Sequence, residues 1–436
     1  MRFKDKRRIS KHVRNLTQNL PHAVSEFTQE IHEIVASEGI QTAYNLLLQA
    51  EIMMDLRKPT LAIYDHAFHF IGGAQKYGLT MISCLQDQFD ITIIANKGVS
   101  HSDFLNWYGL DLSKSKIKII KIPFFMKNQT PYIDPACISK EIENPFHVVS
   151  KESGNYDVFI NNGMNEMVFP LSNLSVLVCH FPERRAKSYY YADEYDYLVY
   201  NSNYTAEWIV EKWRLQPHLH VYPPIEMENA HEDYSKKKFI LSVARFEVEG
   251  TKRQLEMVKA FIKINQIYPE IIKDWKLIVV GGSDHNNPYL FKLRQLINQS
   301  NSHNIELKIN LPVNELKALF KNSTLFWHLC GLSHKDPSEN EHFGMTIVEA
   351  MQNKLIPLVY DSGGPREIVD HGENGFRVQS TAELIDFTIK LLKDPELIQM
   401  MGNNAYMKSR EFSVEKFEEK IRSFFQTMMV EYSSIS

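Results

Sequence analysis

Residues 61–66, LAIYDH, are the first of a series of short apolar runs that decides the fold. Helical stretches separate the runs, which continue through ITIIAN (91–96), IKIIKI (117–122), DVFINN (157–162), LSVLVCH (174–180) and the strand, turn and helix of YDYLVYNSNYTAEWIVEKW (195–213). Apolar strands that alternate with helices are typical of a parallel sheet covered on both faces. The sequence therefore predicts a doubly wound α/β domain that begins after Pro59.

A second series of the same kind follows Tyr222-Pro223-Pro224, a stiff segment in which no helix can continue. Its runs are FILSVARF (239–246), WKLIVVGG (275–282), IELKINL (305–311), STLFWHLC (323–330), KLIPLVYD (354–361) and GFRV (375–378). We therefore predict one Rossmann-like domain over 58–223 and a second over 224–412. An amphipathic helix over 413–436 is expected to return to the first domain.

The first 57 residues lack strand patterns and carry helical spacings such as Val24, Phe27 and Ile31, so a helical extension is predicted over 1–57. Its beginning is rich in lysine and arginine. Either this segment is a solvated helix that packs on the body, or it makes a peripheral contact with an anionic membrane surface. No apolar region follows the basic residues, which is not typical of a secretory signal.

Composition excludes several classes of protein. The 436 residues carry 49 basic and 53 acidic side chains, a balance that argues against a nucleic-acid partner. Four scattered cysteines argue against a disulfide framework or a structural zinc site and favour a reducing, cytoplasmic compartment. No apolar run is long enough to span a membrane. The expectation is a cytoplasmic, two-domain protein.

Ligands of open α/β sheets bind where the strands end, and two strand ends of the first domain carry unusual residues. Gly72 and Gly73 lie between a strand and a helix, where missing side chains allow a ligand to approach the backbone. The pattern is neither G-x-G-x-x-G nor a P-loop. His180 ends another strand. His66 and His69 have one carboxylate nearby, so no metal site is predicted there.

Two cations stand at the start of the second domain. Arg245 follows its first strand, and Lys252 or Arg253 precedes the next helix. Because a helix N-terminus already carries partial positive charge, placing two cations there is favourable only with an anion, and a diphosphate would account for both. The alternative is a pair of surface cations neutralised by neighbouring carboxylates.

The segment EHFGMTIVE (341–349) carries the most information. Its glycine indicates that Glu341 lies in a loop and that a helix begins near Met345, with Glu349 near its first turn. The amides of Gly344, Met345 and Thr346 would then form an anion site. The loop carboxylate of Glu341 could then bind sugar hydroxyls, and the helical carboxylate of Glu349 could bind a ribose diol.

Four motifs together resemble the family 4 glycosyltransferases of the GT-B fold, in which two Rossmann-like domains face each other across a cleft. They are GGAQ (72–75), SVARF (242–246) with its following lysine, the E-x7-E of 341–349, and SGGPREIV (362–369), in the family's order. The resemblance covers residues 58–430. NEHFG (340–344) and the Tyr222-Pro223-Pro224 boundary look like the branch with α-1,2-mannosyltransferases of lipid-linked oligosaccharide synthesis and bacterial polysaccharide glycosyltransferases.

The resemblance implies a role for each matching residue. The donor diphosphate would be held by Arg245 and Lys252, and Gly73 would approach its phosphates. Inserts relative to the family's pattern leave Arg253 as an alternative to Lys252. The nucleotide ribose would be bound by Glu349. The transferred sugar would be contacted by Glu341 and His180, inside a loop shaped by Phe343 and Gly344.

The implied reaction is transfer of a hexosyl group, mannosyl favoured, from a GDP-sugar or UDP-sugar to a glycan or lipid-linked acceptor, with retention at the anomeric carbon. The departing phosphate would help to deprotonate the acceptor. No D-x-D motif occurs, so no metal or other cofactor is expected. The alternatives are a sugar-nucleotide epimerase of similar shape and a non-catalytic carbohydrate-binding protein.

Overall fold

The structure of the chain is a computed structural model. It describes residues 58–122, 144, 146–163, 167–182, 190–227, 236–283, 286–300 and 302–435. The helical extension predicted over 1–57, with its basic beginning, lies outside the described residues.

The first sheet has seven strands, and their order is β3-β2-β1-β4-β5-β6-β7. The pairs β1–β2, β2–β3, β1–β4 and β4–β5 are parallel. The strands are β1 Thr60–Tyr64, β2 Asp90–Ala95, β3 Lys116–Ile119, β4 Val158–Asn161, β5 Leu174–Cys179, β6 Tyr197–Tyr200 and β7 Leu219–His220. Every residue of β4 and β5 is buried, as expected for central strands covered on both faces.

Among the described residues, the helices between these strands are α1 Gly73–Ser83, α2 His101–Tyr108, α3 His147–Ser153 and α4 Asn203–Trp208, which continues as a π-helical turn, Ile209–Trp213. Helix α2 shows how local sequence sets the bounds. Ser100 forms a capping box with Asp103 at its beginning, and Gly109 ends it in a left-handed conformation.

The second sheet has six parallel strands in the order β10-β9-β8-β11-β12-β13. They are β8 Phe239–Val243, β9 Lys276–Gly281, β10 Ile305–Ile309, β11 Leu325–His328, β12 Ile356–Tyr360 and β13 Phe376–Val378. Strand β11 shows that both faces are covered, since Leu325 and Trp327 pack in one apolar cluster and Phe326 in the other. The two predicted doubly wound sheets are thereby confirmed.

The helices of the second sheet are α5 Gln254–Ile267, α6 Pro269–Ile272, α7 Pro288–Gln299, α8 Val313–Asn322, α9 Met345–Gln352, α10 Pro365–Ile368, α11 Thr381–Leu392, α12 Pro395–Ser409 and α13 Val414–Ile435. Short 3-10 turns cover Ala192–Glu194, Pro337–Glu339 and Arg410–Phe412. One face of α13 is buried through Phe417, Ile421, Phe425 and Met428.

The chain divides into two compact units. The first contains Met1–Val199 and Ile209–Leu219, and the second contains Tyr200–Trp208 and His220–Ser436. The second unit includes the segment with α4, which lies within the range predicted for the first domain. The domain bounds 58–223 and 224–412 stay predictions. The return of the C-terminal helix to the first domain stays a prediction. Within the described ranges, no helix is both long and apolar enough to cross a bilayer.

Candidate active site

The order of strands in the second sheet brings two distant loops to one edge. Strands β8 and β11 are neighbours, with Leu325 opposite Ile240, although two other strands separate them in the sequence. The strand order reverses between them, which is where open α/β sheets bind ligands. The loop after β8 carries Arg245 and Lys252, and the loop after β11 leads to Glu341.

These loops meet in a cluster of three polar side chains. Lys252 Nζ donates a hydrogen bond to Glu341 Oε2 at 2.9 Å, and His328 Nε2 lies 2.9 Å from the same oxygen. A carboxylate only accepts, so the proton of this second bond is on Nε2. The His328 side chain is 2% exposed, whereas those of Lys252 and Glu341 are 18% and 19% exposed. The cluster is therefore largely removed from water but open on one side.

Mutual attraction keeps both partners of this ion pair charged. Burial favours the protonated carboxyl of Glu341, but Lys252 and His328 outweigh it and hold the Glu341 pKa well below its usual value. Burial also opposes the charge of Lys252, yet the nearby Glu341 carboxylate raises the Lys252 pKa. Each charge thus depends on the other.

Tight backbone contacts with the SGGP segment hold the Glu341 loop. The amide of Gly364 donates to the Glu341 carbonyl at 2.8 Å. A Cβ on Gly363 would overlap that carbonyl oxygen, and a Cβ on Gly364 would overlap the Phe343 backbone. Gly363 also has φ +66°, a conformation that side chains rarely adopt. The two glycines therefore allow the backbone of this segment to touch the loop directly.

A segment more than 130 residues earlier in the sequence braces the same loop. Ser202 Oγ donates to the His342 carbonyl at 2.7 Å. Tyr204 Oη donates to the Pro337 carbonyl at 2.9 Å and accepts from Asn340 Nδ2 at 2.9 Å. These bonds fix the backbone on both sides of Glu341.

Helix α9 begins at Met345, as predicted, directly after Gly344 at φ +109°. The amides of Met345 and Thr346 are in its first turn, where helix N–H groups favour an anion. Glu349 is the fifth residue of α9 and lies just after its first turn, which contains no acidic residue. It is half-buried there.

Arg245 is exposed, unlike the three side chains of the buried cluster. Its guanidinium is 79% exposed and pairs with Glu247 at 3.1 Å, within the part of the chain that is described. Arg253 is the residue before helix α5, at φ +57°, and its Nε atom is buried without a hydrogen-bond partner among the described residues. Lys252, and not Arg253, is the cation that contacts Glu341.

Phe343 is a core residue in addition to any part it has in shaping the loop. It is 3% exposed and packs against Tyr222 and Phe412, with ring centroids 5.4 and 5.5 Å apart. Its ring anchors the loop between Glu341 and α9 in the apolar cluster of that face.

In the first unit, a buried carboxylate organises the glycine loop. Asp65 follows β1 and is fully buried. Its oxygens accept hydrogen bonds from the Ala67 amide at 2.7 Å, Asn162 Nδ2 at 2.7 Å and Gln75 Nε2 at 3.1 Å. Gly72 precedes α1 and its amide donates to Tyr108 Oη at 2.9 Å. The predicted turn between strand and helix is therefore present, with Gly73 as the first residue of α1.

His180 directly follows strand β5, as the sequence indicated. Its ring contacts Tyr77 edge to face, with centroids 5.3 Å apart. The roles that the resemblance implies for Gly72, Gly73 and His180 stay predictions.

Sequence reasoning missed His328 and Cys330. Their ligand atoms and that of Glu341 lie within 4.8 Å of one another, a donor set that zinc accepts. Lys252 Nζ, however, lies 2.9 Å from Glu341 and 3.5 Å from Cys330 Sγ, where its charge would repel a metal ion. Burial and the Glu341 charge raise the Cys330 pKa to about 12, which disfavours the thiolate that a metal requires. The arrangement fits an ion pair better than a metal site.

Part of the chain that contains the cluster is similar to a known family. Residues 225–408 match the family model described as Glycosyl transferases group 1. This range contains Lys252, His328, Glu341 and the whole of α9.

The curated relatives include mannosyltransferases. The chain is 30% identical over 241 residues to the GDP-Man:Man(3)GlcNAc(2)-PP-Dol alpha-1,2-mannosyltransferase of Mus musculus, covering 51% of this chain and 46% of that protein. It is 26% identical over 259 residues to the Alpha-1,3/1,6-mannosyltransferase ALG2 of Homo sapiens, covering 54% and 59%. The chain spans about half the length of the curated relatives it matches.

Solved structures extend the likeness to most of the chain. The crystal structure of Anabaena Alr3699/HepE in complex with UDP and glucose has a TM-score of 0.63 at 15% identity, covering 85% of this chain and 100% of that one. A glycosyltransferase from Rickettsia africae has a TM-score of 0.61 at 14% identity, covering 87% and 99%. The two Rossmann-like units thus have the GT-B fold, as expected. Residues 225–408 are thus similar to the group 1 glycosyltransferases, and most of the chain shares the fold of these solved structures.

Proposed function

We propose that this chain transfers a hexosyl group, with mannosyl favoured, from a nucleoside-diphosphate sugar to a glycan or lipid-linked acceptor with retention of anomeric configuration. The observation that carries the proposal is the Lys252–Glu341 ion pair beside the beginning of α9, inside the range that matches the family. Mannose and GDP are favoured because similar curated relatives are named as mannosyltransferases, six of them with GDP-Man in the name.

The exposed Arg245 and the amides at the beginning of α9 are the groups that we assign to the diphosphate. Lys252 shares its charge with Glu341, so it would act beside the sugar–phosphate bond, and Arg253 remains an alternative phosphate ligand. Glu349 is assigned to the ribose. Preorganised donors of this kind act on charge that develops as the diphosphate leaves, and removal of one typically lowers the rate about 10²–10³-fold.

The proposed step breaks the bond between the anomeric carbon and the diphosphate oxygen and forms one to the acceptor hydroxyl oxygen. The acceptor proton passes to the departing phosphate. No separate nucleophile is needed in this scheme. Glu341 would accept hydrogen bonds from sugar hydroxyls through Oε1, which accepts none from the described residues.

The test is calorimetric titration of the full chain with GDP-mannose and, in parallel, UDP-glucose. We expect binding of at least one of them, and we expect Arg245→Ala to weaken it while the free energy of unfolding changes by less than about 0.5 kcal/mol, because the side chain is exposed. Lys273→Ala, an exposed lysine paired with a glutamate elsewhere on the same unit, is the matched control. Absence of binding to both nucleotide sugars would contradict the proposal.

A further inference from the structure

One polar residue of the cluster has no role in the function proposed above. His328 is the last residue of β11, is 2% exposed, and lies among apolar residues, with its ring parallel to that of Phe326 at 6.3 Å. A histidine at the end of a buried apolar strand is costly unless its ring nitrogens are used.

Only one of its ring nitrogens is used. Nε2 donates to Glu341 Oε2 at 2.9 Å, whereas Nδ1 is buried and has no hydrogen-bond partner among the described residues. The ring therefore makes a single hydrogen bond, and its acceptor is the Glu341 carboxylate, to which we assign binding of the sugar.

The two donors on Glu341 bind the same oxygen. Lys252 Nζ and His328 Nε2 each lie 2.9 Å from Oε2, and they come from different parts of the chain, the loop after β8 and the end of β11. Two donors on one oxygen fix both the rotation and the tilt of a carboxylate, so Oε1 points in a single direction. Lys252 alone, on a long side chain, would leave the carboxylate free to rotate.

The structure assigns His328 as a positioning residue that orients Glu341 toward the hydroxyls of the transferred sugar. This inference rests on the proposed function. His328 acts through Glu341 and contacts neither the diphosphate nor the nucleotide. It determines how well the protein distinguishes a nucleotide that carries a sugar from the same nucleotide without one.

This assignment predicts a split between two ligands. His328→Leu removes the donor and keeps the side chain apolar at a buried site. We expect it to lower the affinity of the full chain for GDP-mannose roughly 10-fold, while the affinity for GDP is unchanged, because only the sugar meets Glu341. The rate at which GDP-mannose is hydrolysed, with water taking the mannosyl group and GDP released, should fall about 10–100-fold, as expected when a sugar-binding group is misplaced. If the wild-type chain binds UDP-glucose more tightly than GDP-mannose, the experiment uses UDP-glucose and UDP in place of GDP-mannose and GDP.

Two further variants separate positioning from packing. His328→Gln places an amide donor at a similar reach and should restore most of the sugar-dependent affinity. In a Glu341→Ala background, His328→Leu should add nothing, since a residue that acts through Glu341 has no effect without it. The matched control is His334→Leu, which removes a histidine that pairs with Glu339 and not with Glu341.

The outcomes are distinguishable. Equal losses for GDP and GDP-mannose in His328→Leu, or no loss for either, would overturn the positioning role while leaving the proposed function intact. A further loss in the Glu341→Ala background would also overturn it. A wild-type chain that binds neither nucleotide sugar would overturn the proposed function and, with it, this assignment.

Discussion

At the scale of single residues, the site depends on one ion pair whose members are mostly buried. Lys252 and Glu341 are each less than one-fifth exposed, so neither can be removed without leaving the other charge poorly solvated. His328 lowers this cost for Glu341, but it offers nothing to Lys252. Removal of Glu341 should therefore cost more stability than removal of Lys252, because the charge of Glu341 keeps a second partner.

Lys252→Met should lower the free energy of unfolding by about 1–3 kcal/mol, less than for a fully buried pair because some solvent reaches it. The double variant Lys252→Met/Glu341→Gln should be more stable than Lys252→Met alone, since no uncompensated carboxylate remains. Urea unfolding at neutral pH measures both. A double variant less stable than the single one would show that the pair is not coupled in this way.

The stabilisation from Glu341 should depend on pH. Its folded pKa lies below the unfolded value of about 4.3, so the stabilisation is present above about pH 4.3 and is lost as pH falls through the folded pKa. The pKa of Lys252 is raised, so the stabilisation from its charge is present up to about pH 10.4 and is lost only at higher pH. The stability difference between the wild type and Glu341→Gln should be constant from about pH 6 to 8 and shrink below about pH 4. Urea unfolding at several pH values tests this, and a difference independent of pH would contradict it.

At the scale of elements, backbone contacts and caps hold the Glu341 loop. The SGGP segment after β12 meets the loop through glycine, and the segment that begins α4 meets it through side-chain hydrogen bonds. Each contact joins parts of the chain that are distant in sequence.

Gly363→Ala should destabilise the protein more than the same substitution at other glycines of positive φ. The new Cβ would overlap the Glu341 carbonyl as well as strain the backbone. We expect a loss of more than about 2 kcal/mol. Gly372→Ala is the matched control, since Gly372 has φ +85° but open space around a Cβ, and it should cost about 1–2 kcal/mol. Equal losses in the two variants, measured by urea unfolding, would show that the contact is not tight.

A carboxylate from α10 caps the first turn of helix α4. Glu367 accepts hydrogen bonds from the amides of Asn203 at 3.0 Å and Tyr204 at 2.9 Å, and from Tyr222 Oη at 2.9 Å. Helix α4 is short, so this cap should matter to its first turn.

Glu367→Ala should therefore cost about 1–2 kcal/mol in the free energy of unfolding. Glu373→Ala, at an exposed glutamate nearby in the sequence, should change it by less than about 0.5 kcal/mol. Hydrogen exchange of the Asn203 and Tyr204 amides should accelerate only in the first variant. Unchanged exchange there would contradict the capping role.

At the scale of the whole molecule, the proposed donor ligands Arg245, Lys252, Glu341 and Glu349 all belong to the second unit. A nucleotide sugar at about 100 times its dissociation constant should add about 2.7 kcal/mol to the stability of the state that binds it. The corresponding thermal transition should rise by roughly 5–10 °C.

The same rise should occur in EDTA, because Lys252 supplies the positive charge where a metal would otherwise be needed. Differential scanning calorimetry with GDP-mannose, with and without EDTA, measures both expectations. A shift that disappears in EDTA would contradict the prediction that no metal is required.

The sequence by itself determined the two doubly wound sheets, the beginning of α9 and the loop position of Glu341. These features depend on local signals, namely the apolar runs of LAIYDH (61–66) and its successors, and a glycine before a helix. Such signals act within a few residues, so they can be read without knowing what lies nearby in space.

Only the tertiary structure decided which side chains share the site. In the sequence His328 is only the end of an apolar run, and the pairing of β11 with β8 gives it a place in the site. The ion pair joins residues 89 positions apart. Likewise, no local pattern specifies that Arg245 is exposed and pairs with Glu247. The reason is physical: strand order brings loop ends together, and the resulting burial and charge pairing depend on neighbours that no local pattern specifies.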